Sequence, residues 1–152
     1  MKINKLEIEK RMERFQDVCR NSGMKLTHQR MEIFREVAQT EDHPDVLKVY
    51  QGVRKRMPIM SLDTVYRTLW MLKDLGLITT RGASQERTRF DANLDRHHHF
   101  VCVRCGLMRD FYSDKFDELN LPESVNSFGS VVTTQVEVKG VCLKCAGQKK
   151  PG

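Results

Sequence analysis

Two cysteine pairs set the strongest limit on how this chain can fold. Cys102-Val-Arg-Cys105 and Cys142-Leu-Lys-Cys145 share the same two-residue spacing, and 36 residues (106–141) separate them. Two such knuckles in one small domain suit a closed tetrahedral Zn(Cys)4 site. The separation exceeds that of a compact zinc ribbon, so strands must bring the knuckles together. A site of this kind contributes folding free energy directly. The competing reading is a dithiol redox pair. Nothing like a thioredoxin βαβ unit surrounds either knuckle, which counts against it.

The first knuckle runs on from a second cluster of ligand-forming residues. Asp91, His97, His99 and Asp110 fall within 20 residues (91–110). They offer nitrogen and oxygen, a set suited to Fe(II), Mn(II) or Zn(II). The apolar run Phe100-Val101 with Val103 reads as a strand, on which alternate residues share a face. His97 and His99 then point one way and His98 the other, so the first two can ligate one ion together. His43 is remote. A lone histidine before a helix more often caps it or lies on the surface. If it joined the cluster, one metal would clamp both halves of the chain, and metal occupancy would become domain geometry.

At 152 residues the chain fits one domain or two very small ones, and each half would be marginal alone; small halves of this kind often need a metal or a partner subunit. The first ten residues are charged and lack an apolar h-region, which argues against a signal peptide. No apolar run reaches membrane-spanning length, so a cytoplasmic protein is expected. In that reducing setting cysteine pairs read as metal sites before disulfides. The net charge of +6 is lopsided: residues 1–90 hold 18 Lys+Arg against 12 Asp+Glu, and residues 91–152 hold 8 of each. Nucleic-acid binding would need such a footprint. A solvated basic surface accounts for it equally well.

The first half reads as helices. Residues 5–20 carry Leu6, Met12, Phe15 and Cys19 at helical spacing, and Asn21-Ser22-Gly23 stops them. Cys19 is read as a small apolar core residue. Thr27 caps a second helix to about Gln39, with Ile33, Phe34, Val37 and Ala38 inward. His28 and Arg30 lie near its start, within reach of phosphate, although exposure to solvent is the ordinary fate of such groups. Pro44 takes the first position of a third helix and Asp45 its positive end. That helix ends at Arg54-Lys55-Arg56, where cations suit the helix dipole. A fourth, about 62–75, is capped by Ser61 and followed by Gly76, with Leu62, Val65, Leu69 and Leu72 as its core stripe. Trp70 packs inside. Ser61, Thr64, Tyr66 and Arg67 fall largely outside the stripe and can reach base edges or phosphates.

Residues 77–81 and 87–90, around a Gly82-containing turn, read as a hairpin carrying Arg81, Arg87 and Arg89. Helices followed by a basic hairpin are the order of a winged helix-turn-helix, whose fourth helix would enter the major groove. Beyond Asp91, strands are expected at about 99–103, 107–112 and 131–139, with a helix from Ser113 to Asn120. A connecting loop is expected at 121–129 and a disordered tail at 149–152. The expected fold class is α+β: a winged helix-turn-helix DNA-binding domain over 1–90, then a small α/β metal-binding domain over 91–152.

These motifs resemble the ferric uptake regulator (Fur) family across nearly the whole chain. The residues that carry the resemblance are Ser61-Leu-Asp-Thr-Val-Tyr66-Arg67-Thr-Leu, Arg89-Phe-Asp91 and His97-His-His99-Phe-Val-Cys102-x-x-Cys105-Gly. Asp110-Phe111 and Gly140-Val-Cys142-x-x-Cys145 complete it. The resemblance implies a dimeric, metal-dependent repressor that binds a palindromic double-stranded operator through Tyr66 and Arg67 and is not an enzyme. It implies Cys102, Cys105, Cys142 and Cys145 as structural Zn(II) ligands. It implies His43, Asp91, His97, His99 and Asp110 as ligands of a regulatory Fe(II) or Mn(II), and makes the second domain the dimerisation domain.

Aspartate at both 91 and 110 resembles the peroxide-sensing (PerR-type) members more than the iron-sensing ones, which tend to carry Glu. The implied mechanism is iron-catalysed oxidation of His43 or His97 by peroxide, followed by loss of metal and release of DNA. Iron-sensing and zinc-sensing repressors are the close alternatives. Many relatives also have a further site, at positions where this chain has Arg96 and Thr134. That site is expected to be missing or altered, with His98 exposed, or with His98 and Asp117 as remnants. From other classes come a metalloenzyme using the His/Asp site, for which no supporting acid or base and no substrate pocket is visible in the sequence, and a redox switch at the cysteine pairs.

Overall fold

Four helices begin at residues whose side chains close their first turns. The structure, a computed structural model, describes residues 3–82 and 88–147. The chain divides into two compact units, Met1–Leu94 and Asp95–Gly152.

In the first unit, α1 (Lys5–Asn21) starts where the Asn4 side chain accepts from the Glu7 N–H, and α2 (His28–Ala38) where Thr27 accepts from Arg30. In α3 (Val46–Arg54) the cap is Asp45, which accepts from Lys48, and in α4 (Leu62–Asp74) it is Ser61, which accepts from Thr64. Each cap satisfies a backbone donor that the helix leaves without a partner. Pro44 therefore stands before α3 instead of opening it, because the Asp45 carboxylate takes the capping position. Gly76, with φ of 75°, follows α4 in the left-handed conformation that a side chain disfavours.

The core of this unit is built from the inner faces of these helices. Phe15 of α1 stacks on Phe34 of α2 with ring centroids 4.8 Å apart. Val53, Val65, Leu69 and Leu72 are fully buried around them. Each such side chain contributes roughly 1.5–3 kcal/mol relative to exposure. Two expected stripe residues stay outside: Leu6 is 77% exposed and Leu62 is 42% exposed. Both sit in the first turn of their helix, ahead of the point where burial begins at Arg11 and Val65. The Arg11 side chain is buried as well, and its guanidinium donates to the Ala38 carbonyl at the end of α2. Strands β1 (Thr79–Arg81) and β2 (Arg89–Asp91) pair antiparallel, with Thr79 opposite Asp91 and Arg81 opposite Arg89. The turn between them, including Arg87, lies outside the described residues, as does the tail 149–152.

In the second unit, β3 (His98–Cys102) is the middle strand of a three-stranded sheet ordered β4-β3-β5. Strand β4 (Met108–Phe111) runs antiparallel to it and β5 (Glu137–Gly140) parallel. The last strand is shorter than expected. The β3 ladder starts at His99 opposite Glu137, so residues 131–135 precede the pairing, and Val132 is 96% exposed. The helix after Ser113 is also short: α5 is Asp114–Asp117, because Glu118, at φ −113° and ψ 36°, leaves the helical region. The expected connecting loop contains a helical turn, α6 (Glu123–Asn126), and α7 (Leu143–Ala146) follows β5. The apolar cluster here is small: buried Cys102, Cys142 and Cys145, with Phe100 and Leu107 packed against them. No helix among the described residues is long and apolar enough to cross a membrane.

Candidate metal centres

The parallel pairing of β3 with β5 solves the problem posed by the spacing of the knuckles. It sets Gly140 opposite Cys102, and Cys142 follows two residues later. A side chain at Gly140 would bring its Cβ within 2.9 Å of the Phe100 ring, so the close approach depends on glycine. The first knuckle turns through Gly106, with φ of 77° and its N–H on the Cys102 carbonyl. The second opens α7, where the Cys142 sulfur accepts from the Cys145 N–H. The four sulfurs lie within 4.8 Å of one another, and the Cys105 and Cys142 sulfurs are 3.7 Å apart. Zn–S bonds of about 2.3 Å place the corners of a tetrahedron about 3.8 Å apart. The residues therefore fit zinc. Three of these cysteines are buried and Cys105 is exposed, and all five cysteines of the chain are free thiols.

The thiols are electrostatically unequal. Backbone N–H groups of Cys142 and Cys105 hold the Cys102 thiol down to about 6. Cys145 is pushed up to about 12, first by the hydrogen bond of the Cys142 side chain and then by burial. A cation entering the cluster would find Cys102 the more readily ionised of these two thiols and would have to displace the proton of Cys145.

The second unit also gathers His97, His99 and Asp110. His99 and Asp110 are cross-strand partners in the β3–β4 ladder. Both rings are buried. The His97 Nδ1–H donates to the Asp95 carbonyl at 2.5 Å, which directs the Nε2 lone pair inward. Nε2 of His97 lies 3.1 Å from Nε2 of His99, and the Asp110 Oδ1 lies 3.6 and 3.3 Å from the two. Such separations match neighbouring ligands on one ion with bonds of about 2.1 Å. The donor set holds no sulfur, which suits Fe(II) and Mn(II) as well as zinc.

In the first unit, His43 and Asp91 form a buried pair with Nε2 and Oδ2 3.2 Å apart. The other Asp91 oxygen accepts from the Asn93 N–H at 2.8 Å. His43 is thus neither a helix cap, which is Asp45, nor a surface group.

His98 is the clear correction. It is fully buried, not exposed, because the alternation of β3 turns it to the other side, against Phe111 and Phe116. Its Nδ1 accepts from the Val136 N–H, so its Nε2 carries the proton and donates to Asp117 at 2.8 Å. Arg96 reaches the same carboxylate at 3.4 Å and the Asp117 carbonyl at 2.6 Å. Both ring nitrogens of His98 are engaged, and a guanidinium stands on its partner. This arrangement fixes the ring at both nitrogens.

The residues singled out for DNA have mixed placements. Ser61 lies at the exposed start of α4, and its hydroxyl donates to Thr64, which is half-buried. Tyr66 and Arg67 are exposed, and Arg67 pairs with Asp63 at 3.0 Å. Arg67 stands between two grooves. One, of about 510 Å³, is lined by Tyr66, Trp70 and Met24; the other, of about 330 Å³, by Thr27, Gln29, Arg30 and Thr64. Gln29 lines the second groove beside Arg67, a place that depends on helix packing. Trp70 is half-buried, its edge against Phe90. Arg81 is half-buried in β1. Arg89 turns inward onto the loop before α3, donating to the Asp42 and His43 carbonyls.

Capped helices, a two-stranded wing, a thiolate cluster and His/Asp ligands define a winged-helix metalloprotein. The chain belongs to the ferric uptake regulator family, whose model matches residues 21–138. As a member it is a metal-dependent transcriptional regulator. It is 32% identical over 127 residues to the peroxide-responsive repressor PerR of Staphylococcus epidermidis, covering 83% of this chain and 84% of that protein. Among solved structures it is similar to a zinc-bound manganese uptake regulator, with 27% identity, TM-score 0.65 and coverage of 84% and 98%. The ferric uptake regulator of Helicobacter pylori shares the fold at 19% identity, TM-score 0.70 and 99% coverage of both chains.

Proposed function

We propose that this chain is a homodimeric repressor that binds a palindromic operator and senses peroxide through a regulatory metal. The observation that carries the reading is the sulfur-free set of His97, His99 and Asp110, built beside a separate four-thiolate site in the same small unit. Two chemically distinct sites allow a permanent zinc and an exchangeable second ion. We assign that ion, Fe(II) or Mn(II), to His97, His99 and Asp110 together with His43 and Asp91. Its occupancy sets how the two units engage DNA. Ser61, Thr64, Tyr66 and Arg67 read the operator, with Arg81 and Arg87 on its backbone.

When bound, Fe(II) would supply the redox catalysis that activates hydrogen peroxide and would itself be regenerated. A ring C–H of His43 or His97 would take one oxygen atom from peroxide, the ring giving up two electrons and the second oxygen leaving as water, and the oxidised ring would hold the ion less well. Each event consumes the sensor's own side chain, so the chemistry is a switch and not turnover. The likeness to a peroxide-responsive repressor supports this reading, as does aspartate at both 91 and 110. The likeness to a manganese uptake regulator favours a second one, a sensor of metal level.

Mass spectrometry after low peroxide separates them. With Fe(II) loaded, the peptide holding His43 or His97 is expected to gain one oxygen, and with Mn(II) to stay unchanged. Unmodified peptides in a protein that still binds DNA on Fe(II) addition would establish the metal-level sensor instead.

A further inference from the structure

The loop between α2 and α3 holds a backbone conformation that its sequence does not favour. His43 has φ of 51°, the one positive-φ non-glycine residue among those described. A side chain in that left-handed region crowds its own carbonyl, and such residues persist only where their surroundings hold them. One side chain and one strand are part of those surroundings. Arg89 Nε donates to the His43 carbonyl at 2.7 Å, and Nη2 donates to the Asp42 carbonyl at 2.5 Å. The Phe90 N–H donates to the Pro44 carbonyl at 2.9 Å, and Asp45 pairs with Arg89 in an antiparallel bridge.

The guanidinium is a rigid planar fork that holds two successive carbonyls in fixed geometry, which the rotatable ammonium of a lysine does not. Arg89 and Asp91 are two residues apart on β2 and so share a face. One end of that strand grips the backbone of residues 42–43, and the other receives the His43 imidazole at Asp91, 3.2 Å away. The basic side chain that looked like part of a DNA-contacting wing is half-buried and turns its guanidinium onto the backbone of its own unit.

We propose that Arg89 is a positioning residue for the His43–Asp91 pair. Its fork on the Asp42 and His43 carbonyls holds His43 in the left-handed conformation that aims the imidazole at Asp91. In its consequence for metal affinity, the inference rests on the reading of His43 as a ligand. In its geometry it does not.

The experiment compares Arg89→Lys, His43→Ala and the double variant with the wild type in Mn(II) titrations of the full zinc-containing chain. Alongside, imidazole ¹H–¹⁵N spectra of the protein without Mn(II) follow His43 directly. Arg89→Lys keeps the charge and loses the fork, so it is expected to weaken Mn(II) binding about tenfold, the factor an unsupported competent conformer costs. In the double variant it should add nothing to His43→Ala, since the two act on one contact. The His43 ring resonances should move in Arg89→Lys while the zinc content stays constant. Normal Mn(II) affinity in Arg89→Lys beside weakened binding in His43→Ala would overturn the proposal and leave the metal reading intact. If neither variant alters affinity, the metal reading of His43 fails. The spectra then decide the positioning role: moved ring resonances uphold it and unmoved ones end it. Should Arg89→Lys fail to fold, Arg89→Gln, which keeps an amide NH2 donor but loses the charge and the fork, is set against His43→Ala in the same titrations and spectra.

Discussion

Cys19 shows how one residue type takes opposite roles within a short chain. It is 1% exposed in the helical core, where burial pushes its thiol up, against a smaller opposing pull from Arg30. The folded state therefore holds the proton more tightly than the unfolded chain does. Above the ordinary thiol value of 9.0 the unfolded chain ionises first, so this group's stabilisation is complete below that pH and is lost as pH rises beyond it. At pH 8 Cys19 is expected to resist alkylation in the native protein and to react at once in denaturant. Peptide mass spectrometry after iodoacetamide would show this, and rapid native labelling of Cys19 would contradict its burial.

At the scale of elements, the caps can be separated from the proposed DNA contacts. Ser61→Ala removes the acceptor for the Thr64 N–H and is expected to cost about 1 kcal/mol in a urea titration, whereas Ser61→Asn, which can still cap, should cost less. Equal losses in both would mean that the cap is not what Ser61 contributes to stability. The helices could be read from sequence because their signals are local: a capping side chain, an apolar stripe, a glycine past the end. Leu62 had the right spacing and the wrong position, since periodicity does not say where along a helix the core begins. The His97/His99 convergence followed from strand alternation. The burial of His98 did not, because its partners come from Asp117 and Val136, far along the chain. The clamp of Arg89 on His43 was equally hidden. A left-handed histidine has no local signature, and a basic residue in a hairpin arm looks like a surface charge.

For the molecule as a whole, the two units are held together internally by different means. The first has an extended apolar core of helices, and the second has a small cluster of three cysteines with Phe100 and Leu107, beside His98 packed on Phe111 and Phe116. Removing zinc with a strong chelator is expected to abolish hydrogen-exchange protection in β3, β4 and β5. The amides of α1, α2 and α4 should stay protected. Loss of protection everywhere at the same chelator concentration would show that the first unit depends on zinc as well.

The exposure of Cys105 among three buried neighbours has a kinetic consequence. A closed tetrahedral site exchanges its ion only as fast as one ligand can be peeled away, and here only one corner faces solvent. An incoming chelator, or an oxidant of thiols, has to begin at Cys105. The lifetime of the whole second unit would then be set at a single sulfur, and replacing the residues that crowd that corner would change the lifetime of the fold without touching its equilibrium ligands.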